Sequence, residues 1–198
     1  MKTVVIYKSK TGFAKKYAVW LAEELSADLF EASKVSISLL SGYDTVIYGG
    51  SLHAVGIIGL KLITGNMEKL KGKKLVIFAT GASPSSEAVN KAIITNNFSP
   101  DQQDKIKFFY LRGGFNYAKL QLGDKLLMTL MKWKIRYKKK QKKELTRDEK
   151  GMLAAYSKPV DFTKKEYISE IVEYVNSGLI SRSSFFDYTL VISIIILF

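Results

Sequence analysis

A polar loop near the N-terminus has the residue types that bind a phosphate group. The segment Tyr7–Ala14 reads YKSKTGFA and contains hydroxyl and glycine residues but no acidic residue. A phosphate dianion is bound by converging N–H groups and hydroxyls, and the first turn of a helix adds a partial positive charge. A plain turn between a strand and a helix, with Thr11 near the N-cap, is the alternative. The candidate phosphate ligands are Ser9, Lys10, Thr11, Gly12, Phe13 and Ala14.

The elements that must position this loop alternate along the chain. The apolar, strand-like runs are residues 3–7, 28–31, 44–48, 75–79 and 106–111. Apolar residues at helical spacing occupy residues 13–25, about 59–70, 86–96 and 163–176. We expect the third, fourth and fifth strands to end at Gly49, Thr80 and Gly113. Alternating strands and helices form right-handed βαβ units, so the sequence predicts an α/β fold with five parallel strands and helices on both faces. Ligands bind such sheets at the carboxyl ends of the strands.

The first loop resembles the phosphate-binding signature of flavodoxins, hydroxyl-x-Thr-Gly-x-Thr, directly after the first strand. The match covers Ser9, Thr11 and Gly12, and Ala14 replaces the last hydroxyl of the signature. That departure removes one hydrogen bond to the phosphate, which Lys8 or Lys10 could offset. The resemblance implies a flavodoxin-like, doubly wound sheet that binds FMN.

Flavodoxins hold the flavin ring with the loops after the third and fourth strands, which are residues 49–56 and 80–85 in this chain. Glycine lets backbone amides approach a ring edge, and a flat side chain can stack on it. His53 is the candidate for stacking, and a solvent-exposed histidine is the alternative. In the second loop, Ser85 or Ser86 could also cap a helix. The implied flavin contacts are Ser51, Leu52, His53, Ala54, Thr80, Gly81, Ala82 and Ser83.

The fullest resemblance is to the menaquinone-dependent protoporphyrinogen IX dehydrogenases and their flavodoxin-domain relatives, over roughly residues 1–176. The passages that carry it are YKSKTGFAKKYA (7–18), YDTVIYGGSLHAVGI (43–57) and FFYLRGGFNYAKLQLGDKLLMTLMKWK (108–134). This family also has a long insertion after the fifth strand. The resemblance implies an FMN-dependent oxidoreductase that takes electrons from a hydrophobic donor such as protoporphyrinogen IX and passes them to a quinone. A non-enzymatic electron carrier is the alternative, although carriers of this fold are typically acidic and compact.

Basic charge is concentrated in the insertion, at about residues 116–158. The net charge of the chain is +13, and Lys132–Lys143 holds eight Lys or Arg and no acidic residue. An apolar helical stripe precedes and overlaps this block: Leu120, Leu126, Leu127, Leu130, Met131 and Trp133. A basic amphipathic helix with Trp at its boundary is typical of segments that bind anionic membrane surfaces, so we expect peripheral attachment to the inner face of the cell membrane through Lys132–Lys143. Packing of the stripe on the sheet is one alternative. Nucleic-acid binding is another, which the shortage of stacking aromatics disfavours.

Composition limits the other function classes. The chain has no cysteine and one histidine, which excludes disulfides, thiolate catalysis and a multi-histidine metal site, and we expect no metal. The N-terminus runs straight into a strand without a signal-peptide pattern, so we expect a cytoplasmic protein. We divide the chain into a flavodoxin-like domain, residues 1–177, and an apolar tail, residues 178–198. The purely apolar part of the tail is about half the ~20 residues that span a bilayer. It could dip into a membrane, pack as an irregular strand or be a non-native extension.

Overall fold

The structure, a computed structural model, describes residues 1–120 and 122–177. The expectations for the apolar tail concern residues outside this part. In chain order, the strands of the main sheet are β1 (Thr3–Lys8), β2 (Asp28–Glu31), β3 (Thr45–His53), β4 (Gly56–Ile57), β5 (Lys74–Gly81) and β6 (Lys107–Arg112). The order β2-β1-β3-β5-β6 is parallel throughout, and β4 pairs antiparallel with the end of β3. The predicted five-stranded parallel sheet is therefore confirmed.

Helices cover both faces of the sheet. They are α1 (Phe13–Glu24), α2 (Lys61–Thr64), α3 (Glu87–Asn97), α4 (Pro100–Gln103), α5 (Leu122–Lys140), α6 (Arg147–Ser157) and α7 (169–177). Successive side chains of a strand point to opposite faces. Val4 and Ile6 accordingly pack in one core cluster with residues of α2 and α3, whereas Val5 packs in the other with α1 and α7. Burial on both faces explains why these strands are apolar at nearly every position.

Two boundaries differ from the sequence-based expectation. Strand β3 does not end at Gly49 but continues to His53, with Gly49 paired to Tyr7 of β1 and Phe78 of β5. A Cβ atom at Gly49 would overlap the ring of Phe78, so this glycine serves close packing and not a turn. Strand β5 likewise extends to Gly81, beyond the expected end at Thr80.

The predicted helix at about 59–70 is wrong as a continuous element. Only α2 and a 3₁₀ turn, Met67–Leu70, form there. Gly59 adopts a φ of +75° just before α2, and Gly65 directly follows it. Glycine at both ends disfavours a longer helix, because glycine loses more backbone freedom in a helix than other residues do.

The insertion forms two helices that start and end at one small sheet. Strands β7 (Gly114–Phe115) and β8 (Val160–Asp161) pair antiparallel, and α5 and α6 lie between them in the chain. Thr146 and Glu149 form a capping box at the start of α6. The Lys138 ammonium lies 2.9 Å from the Glu149 carboxylate, and this hydrogen bond holds the pKa of Glu149 below its usual value. No helix in the described parts of the chain is both long and apolar enough to cross a membrane.

Candidate functional site

A cavity of about 390 Å³ lies at the carboxyl ends of the parallel strands. The candidate phosphate loop, residues 7–14, borders it on one side, and the loops after β3 and β5 border it on another. The segment that leads into α5, and α5 itself, complete the wall. The lining residues are Lys10, Thr11, Phe13, Ser51, Leu52, His53, Ala54, Thr80, Gly81, Ala82, Gly113, Gly114, Phe115, Asn116, Leu120, Met128 and Met131.

The phosphate loop is shaped by two side-chain hydrogen bonds. The Gly12 N–H donates to Ser9 Oγ at 3.0 Å, and the Lys10 N–H donates to Ser51 Oγ at 3.3 Å. Gly12, with a φ of +99°, is the N-cap of α1, and no side chain caps this helix. Thr11 therefore lies next to the N-cap, as the alternative of a plain turn also expects, but it does not itself cap α1. Thr11 lines the cavity, next to the N–H groups of the first helical turn, which have no acceptors within the helix.

Four of the predicted site residues do not line the cavity. The hydroxyl of Ser9 accepts the hydrogen bond that shapes the loop, and Gly12 lies exposed at the turn. Ala14, in the first turn of α1, is fully buried in the core. The Ser83 carbonyl accepts a 2.7 Å hydrogen bond from the hydroxyl of Tyr110 in β6, and this bond holds the loop after β5. Burial raises the pKa of Tyr110 above its usual value.

The loop after β3 is held by a side chain from α3. Asn97 Oδ1 accepts from the Ile57 N–H at 2.8 Å, and Asn97 Nδ2 donates to the Val55 carbonyl at 2.7 Å. Ala54 adopts the left-handed conformation, with a φ of +53°, in the tight turn between β3 and β4. His53 is exposed and lines the cavity. The turn therefore presents His53 and Ala54 from a backbone that is fixed on both sides.

The loop after β5 both caps a helix and borders the cavity. Ser86 Oγ accepts from the Val89 N–H at 3.3 Å and caps α3, while Thr80, Gly81 and Ala82 line the cavity. A Cβ atom at Gly81 would lie 2.6 Å from the Tyr110 hydroxyl oxygen and 3.2 Å from Leu52 Cδ1. A larger residue would have to displace these side chains, and glycine lets the backbone of β5 border the cavity closely.

Seven lining residues were missed as site residues from the sequence. They lie where the insertion leaves the sheet and along α5: Gly113, Gly114, Phe115, Asn116, Leu120, Met128 and Met131. Met128 and Met131 are three positions apart and therefore share a helix face, which was the available signal. Nothing in the sequence showed that this face would turn back over the loops of the sheet.

The residues present fit an FMN molecule. One end of the cavity has a hydroxyl, a lysine and the amides of a helix N-terminus, which is the donor set that a phosphate group requires. The remaining walls offer glycine backbone and apolar side chains, which suit a flat heteroaromatic ring. None of the described residues that line the cavity is acidic, so no carboxylate opposes a dianion.

Sequence and structure comparisons relate this chain to known proteins. A family profile described as a flavodoxin domain matches residues 4–143. Among solved structures, the chain is similar to oxidised flavodoxin 1 from Bacillus cereus, with 19% identity, 57% of this chain and 84% of that chain covered, and a TM-score of 0.43. It is similar to two-electron reduced Megasphaera elsdenii flavodoxin, with 14% identity, coverage of 55% and 82%, and a TM-score of 0.42.

A third solved structure belongs to a larger protein. The rubredoxin:oxygen oxidoreductase of Desulfovibrio gigas is 20% identical, and the match covers 56% of this chain and 30% of that one, with a TM-score of 0.39. No curated protein sequence matches significantly. The family match spans well over half of the chain and indicates FMN as the cofactor and electron transfer as its use. The chain belongs to the flavodoxin domain family.

Proposed function

We propose that this chain is an FMN-dependent oxidoreductase that takes electrons from a hydrophobic donor, protoporphyrinogen IX or a similar compound, and passes them to a quinone. We further propose that it works as a peripheral protein at the inner face of the cell membrane. The observation that supports an enzyme over a simple carrier is the wall that the insertion adds to the cavity. Phe115, Leu120, Met128 and Met131 all border it.

This wall changes what can approach the flavin. A carrier needs only an exposed ring edge for electron transfer between proteins. Here apolar residues of α5 and its leading segment line the cavity together with the two ring loops, and they offer an apolar donor an apolar surface. Met side chains are flexible and polarizable, so they adapt to a large flat ligand.

We assign the roles of the lining residues by their position. Thr11 and the amides at the start of α1 bind the phosphate, with Lys10 adding positive charge. The segment Ser51–Ala54 borders the ring on one side and Thr80–Ala82 on the other. Bound FMN supplies the two-electron chemistry, and the chain supplies orientation, charge and exclusion of water. His53 is the only ring side chain in the loop of residues 49–56. We place it beside the flavin or at the substrate entrance.

Thr11→Ala should weaken FMN binding by about 1–3 kcal/mol, the usual value of a hydrogen bond to a charged group. The measurement is titration of the apoprotein with FMN, followed by flavin fluorescence. Thr64→Ala is the matched control, because Thr64 lies in α2 and, among the contacts described, its hydroxyl donates only to the Leu60 carbonyl. Equal dissociation constants for Thr11→Ala and the control would contradict the phosphate assignment.

His53→Ala should change turnover by a few-fold to about tenfold, which corresponds to a ring contact of about 0.5–1.5 kcal/mol. The fold should remain intact, since the Asn97 hydrogen bonds hold the loop through its backbone. Val55→Ala is the control, because Val55 is exposed in the same turn but does not line the cavity. If neither turnover nor flavin potential differs between the two variants, His53 is a surface residue without a role in the site.

Anaerobic turnover tests the enzyme directly. The FMN-loaded protein is mixed with detergent-dispersed protoporphyrinogen and a menaquinone analogue, and porphyrin formation is followed by absorbance. Catalytic porphyrin formation that requires both FMN and the quinone supports the proposal. A protein that binds FMN and exchanges electrons with a reductase, but forms no porphyrin, would be a carrier, and the proposed activity would be wrong.

A further inference from the structure

Helix α5 has an apolar stripe on the side that faces away from the protein. Leu122, Leu126, Leu130, Trp133 and Tyr137 follow the spacing of one helix face, and each is between 55% and 87% exposed. Most of the other large apolar side chains in the described parts of the chain are buried or only partly exposed. A continuous apolar face of this length on a helix surface marks an interaction site.

The opposite side of the same helix is also apolar and is partly covered, although Met131 on that side is 41% exposed. Met128 and Met131 line the cavity, and Ile135 is 6% exposed. The hydroxyl of Tyr156 in α6 donates a hydrogen bond to the Met128 carbonyl and fixes α6 along this side. The single stripe expected from sequence therefore divides between two faces of α5. Leu126, Leu130 and Trp133 are on the outward face, whereas Met131 lines the cavity. Leu120 precedes the helix.

Basic residues border the outward face. The sequence of α5 contains seven Lys or Arg and one acidic residue. By helical spacing, Lys125, Lys132 and Arg136 follow one border of the stripe and Lys134 follows the other. An apolar centre with cationic borders is complementary to an anionic lipid surface, where apolar side chains enter the interface and lysines meet the headgroups.

We propose that the outward face of α5 lies in the interface of an anionic lipid bilayer. The flavin cavity then sits one helix width, about 10–12 Å, from the lipid. A lipid-soluble electron donor or acceptor reaches the cavity along α5, past Met131, without crossing bulk water. The exposed stripe and the basic residues at its borders support the docking surface. The route of the donor or acceptor along α5 rests in addition on the function proposed above.

The test uses the full chain loaded with FMN and vesicles of phosphatidylcholine with phosphatidylglycerol. Replacing Leu126, Leu130 and Trp133 together by serine should lower vesicle binding by at least about tenfold, since three large apolar side chains leave the interface. The matched control replaces Leu39 and Tyr167 by serine, because both are exposed apolar residues on other elements. This control variant should bind vesicles like the unmodified protein. FMN affinity should be unchanged in both variants, which shows that each is folded.

A second measurement reports the position of the stripe directly. The chain has two tryptophans, so Trp20→Phe leaves Trp133 as the only one. Its emission should shift to shorter wavelength with anionic vesicles and should be quenched by lipids with brominated acyl chains. Unchanged Trp133 emission on vesicles that bind the protein would overturn the proposal.

Charge changes test the choice of lipid. Replacing Lys139, Lys140, Lys142 and Lys143 by glutamine should weaken binding, and added salt should have the same effect, since these attractions are screened within about 10 Å at 0.1 M salt. Lys138 is left unchanged because its ion pair with Glu149 supports α6. Equal binding to pure phosphatidylcholine vesicles would overturn the anionic surface as the occupant.

Other occupants of the stripe give different results. If deletion of residues 184–198 releases the protein from vesicles and the serine variant still binds, the tail is the anchor and the proposal is wrong. A dimer that the serine changes dissociate, with no vesicle binding, would assign the stripe to a second copy. Turnover with the detergent-dispersed donor separates the two proposals. If the serine variant loses vesicle binding but retains this turnover, docking through the stripe is supported. If the protein binds vesicles through the stripe but shows no turnover, docking is still supported and the proposed enzyme is wrong.

Discussion

Gly49→Ala should lower the free energy of unfolding by about 3 kcal/mol, at the upper end of the usual cost of overpacking a core. The added methyl group would overlap the ring of Phe78 on the neighbouring strand. That ring is fully buried in the cluster formed with α1 and α7, so it cannot rotate away without displacing other side chains. Urea unfolding followed by circular dichroism measures the effect.

Two further variants separate this clash from a general effect of replacing glycine. Gly42→Ala is the matched control, since a Cβ atom there meets nothing within 4 Å and its φ is not positive. Phe78→Leu in the Gly49→Ala background should recover part of the lost stability, because the shorter side chain leaves room for the methyl group. If Gly49→Ala and Gly42→Ala unfold at the same urea concentration, the close packing of β3 on β5 is not the reason for glycine at this position.

Gly114→Ala should raise the FMN dissociation constant by roughly 5- to 150-fold, which corresponds to about 1–3 kcal/mol of overpacking. A Cβ atom at Gly114 would overlap the Val160 carbonyl oxygen and lie 2.6 Å from Phe13 Cζ. Phe13 opens α1 and lines the cavity, so relief of this clash displaces either the phosphate loop or the β7–β8 pair. The main sheet should unfold at nearly its original denaturant concentration, because Gly114 lies outside it.

Gly123→Ala is the comparison for this variant. Gly123 is in α5, and a Cβ atom there meets nothing within 4 Å. We expect FMN affinity to stay unchanged and the helix to gain about 0.5–1 kcal/mol, as alanine replaces glycine. An unchanged dissociation constant for Gly114→Ala would contradict the coupling of the insertion to the phosphate loop.

The sheet could be predicted because its strands are buried on both faces, so residues such as Val4, Val5 and Ile6 form unbroken apolar runs. The ends of the strands were less well predicted. Glycine is read from sequence as a turn former, yet Gly49 lies within β3 and is needed for contact with Phe78. A glycine that relieves packing and a glycine that permits a turn look the same until the neighbouring strand is known.

The phosphate side of the candidate site was accessible to sequence reasoning because it is local. Thr11 and Gly12 lie next to each other at one strand end, and their spacing carries the information. The far wall depends on long-range folding, since Met128 and Met131 reach the cavity only after α5 turns back over the sheet. Helical spacing identified α5 as amphipathic but merged its two apolar sides, because periodicity does not tell which side the rest of the protein covers.

The β7–β8 pair has a consequence for how this chain could have arisen. Phe115 pairs with Val160, so the whole excursion through α5 and α6 leaves and rejoins the domain at one point. Closing a loop costs little more as it lengthens, about 0.6 kcal/mol for each doubling. A segment of almost any length could thus have been spliced in at this junction without disturbing strand order. The junction therefore keeps the length of the added segment independent of the order of the strands in the main sheet.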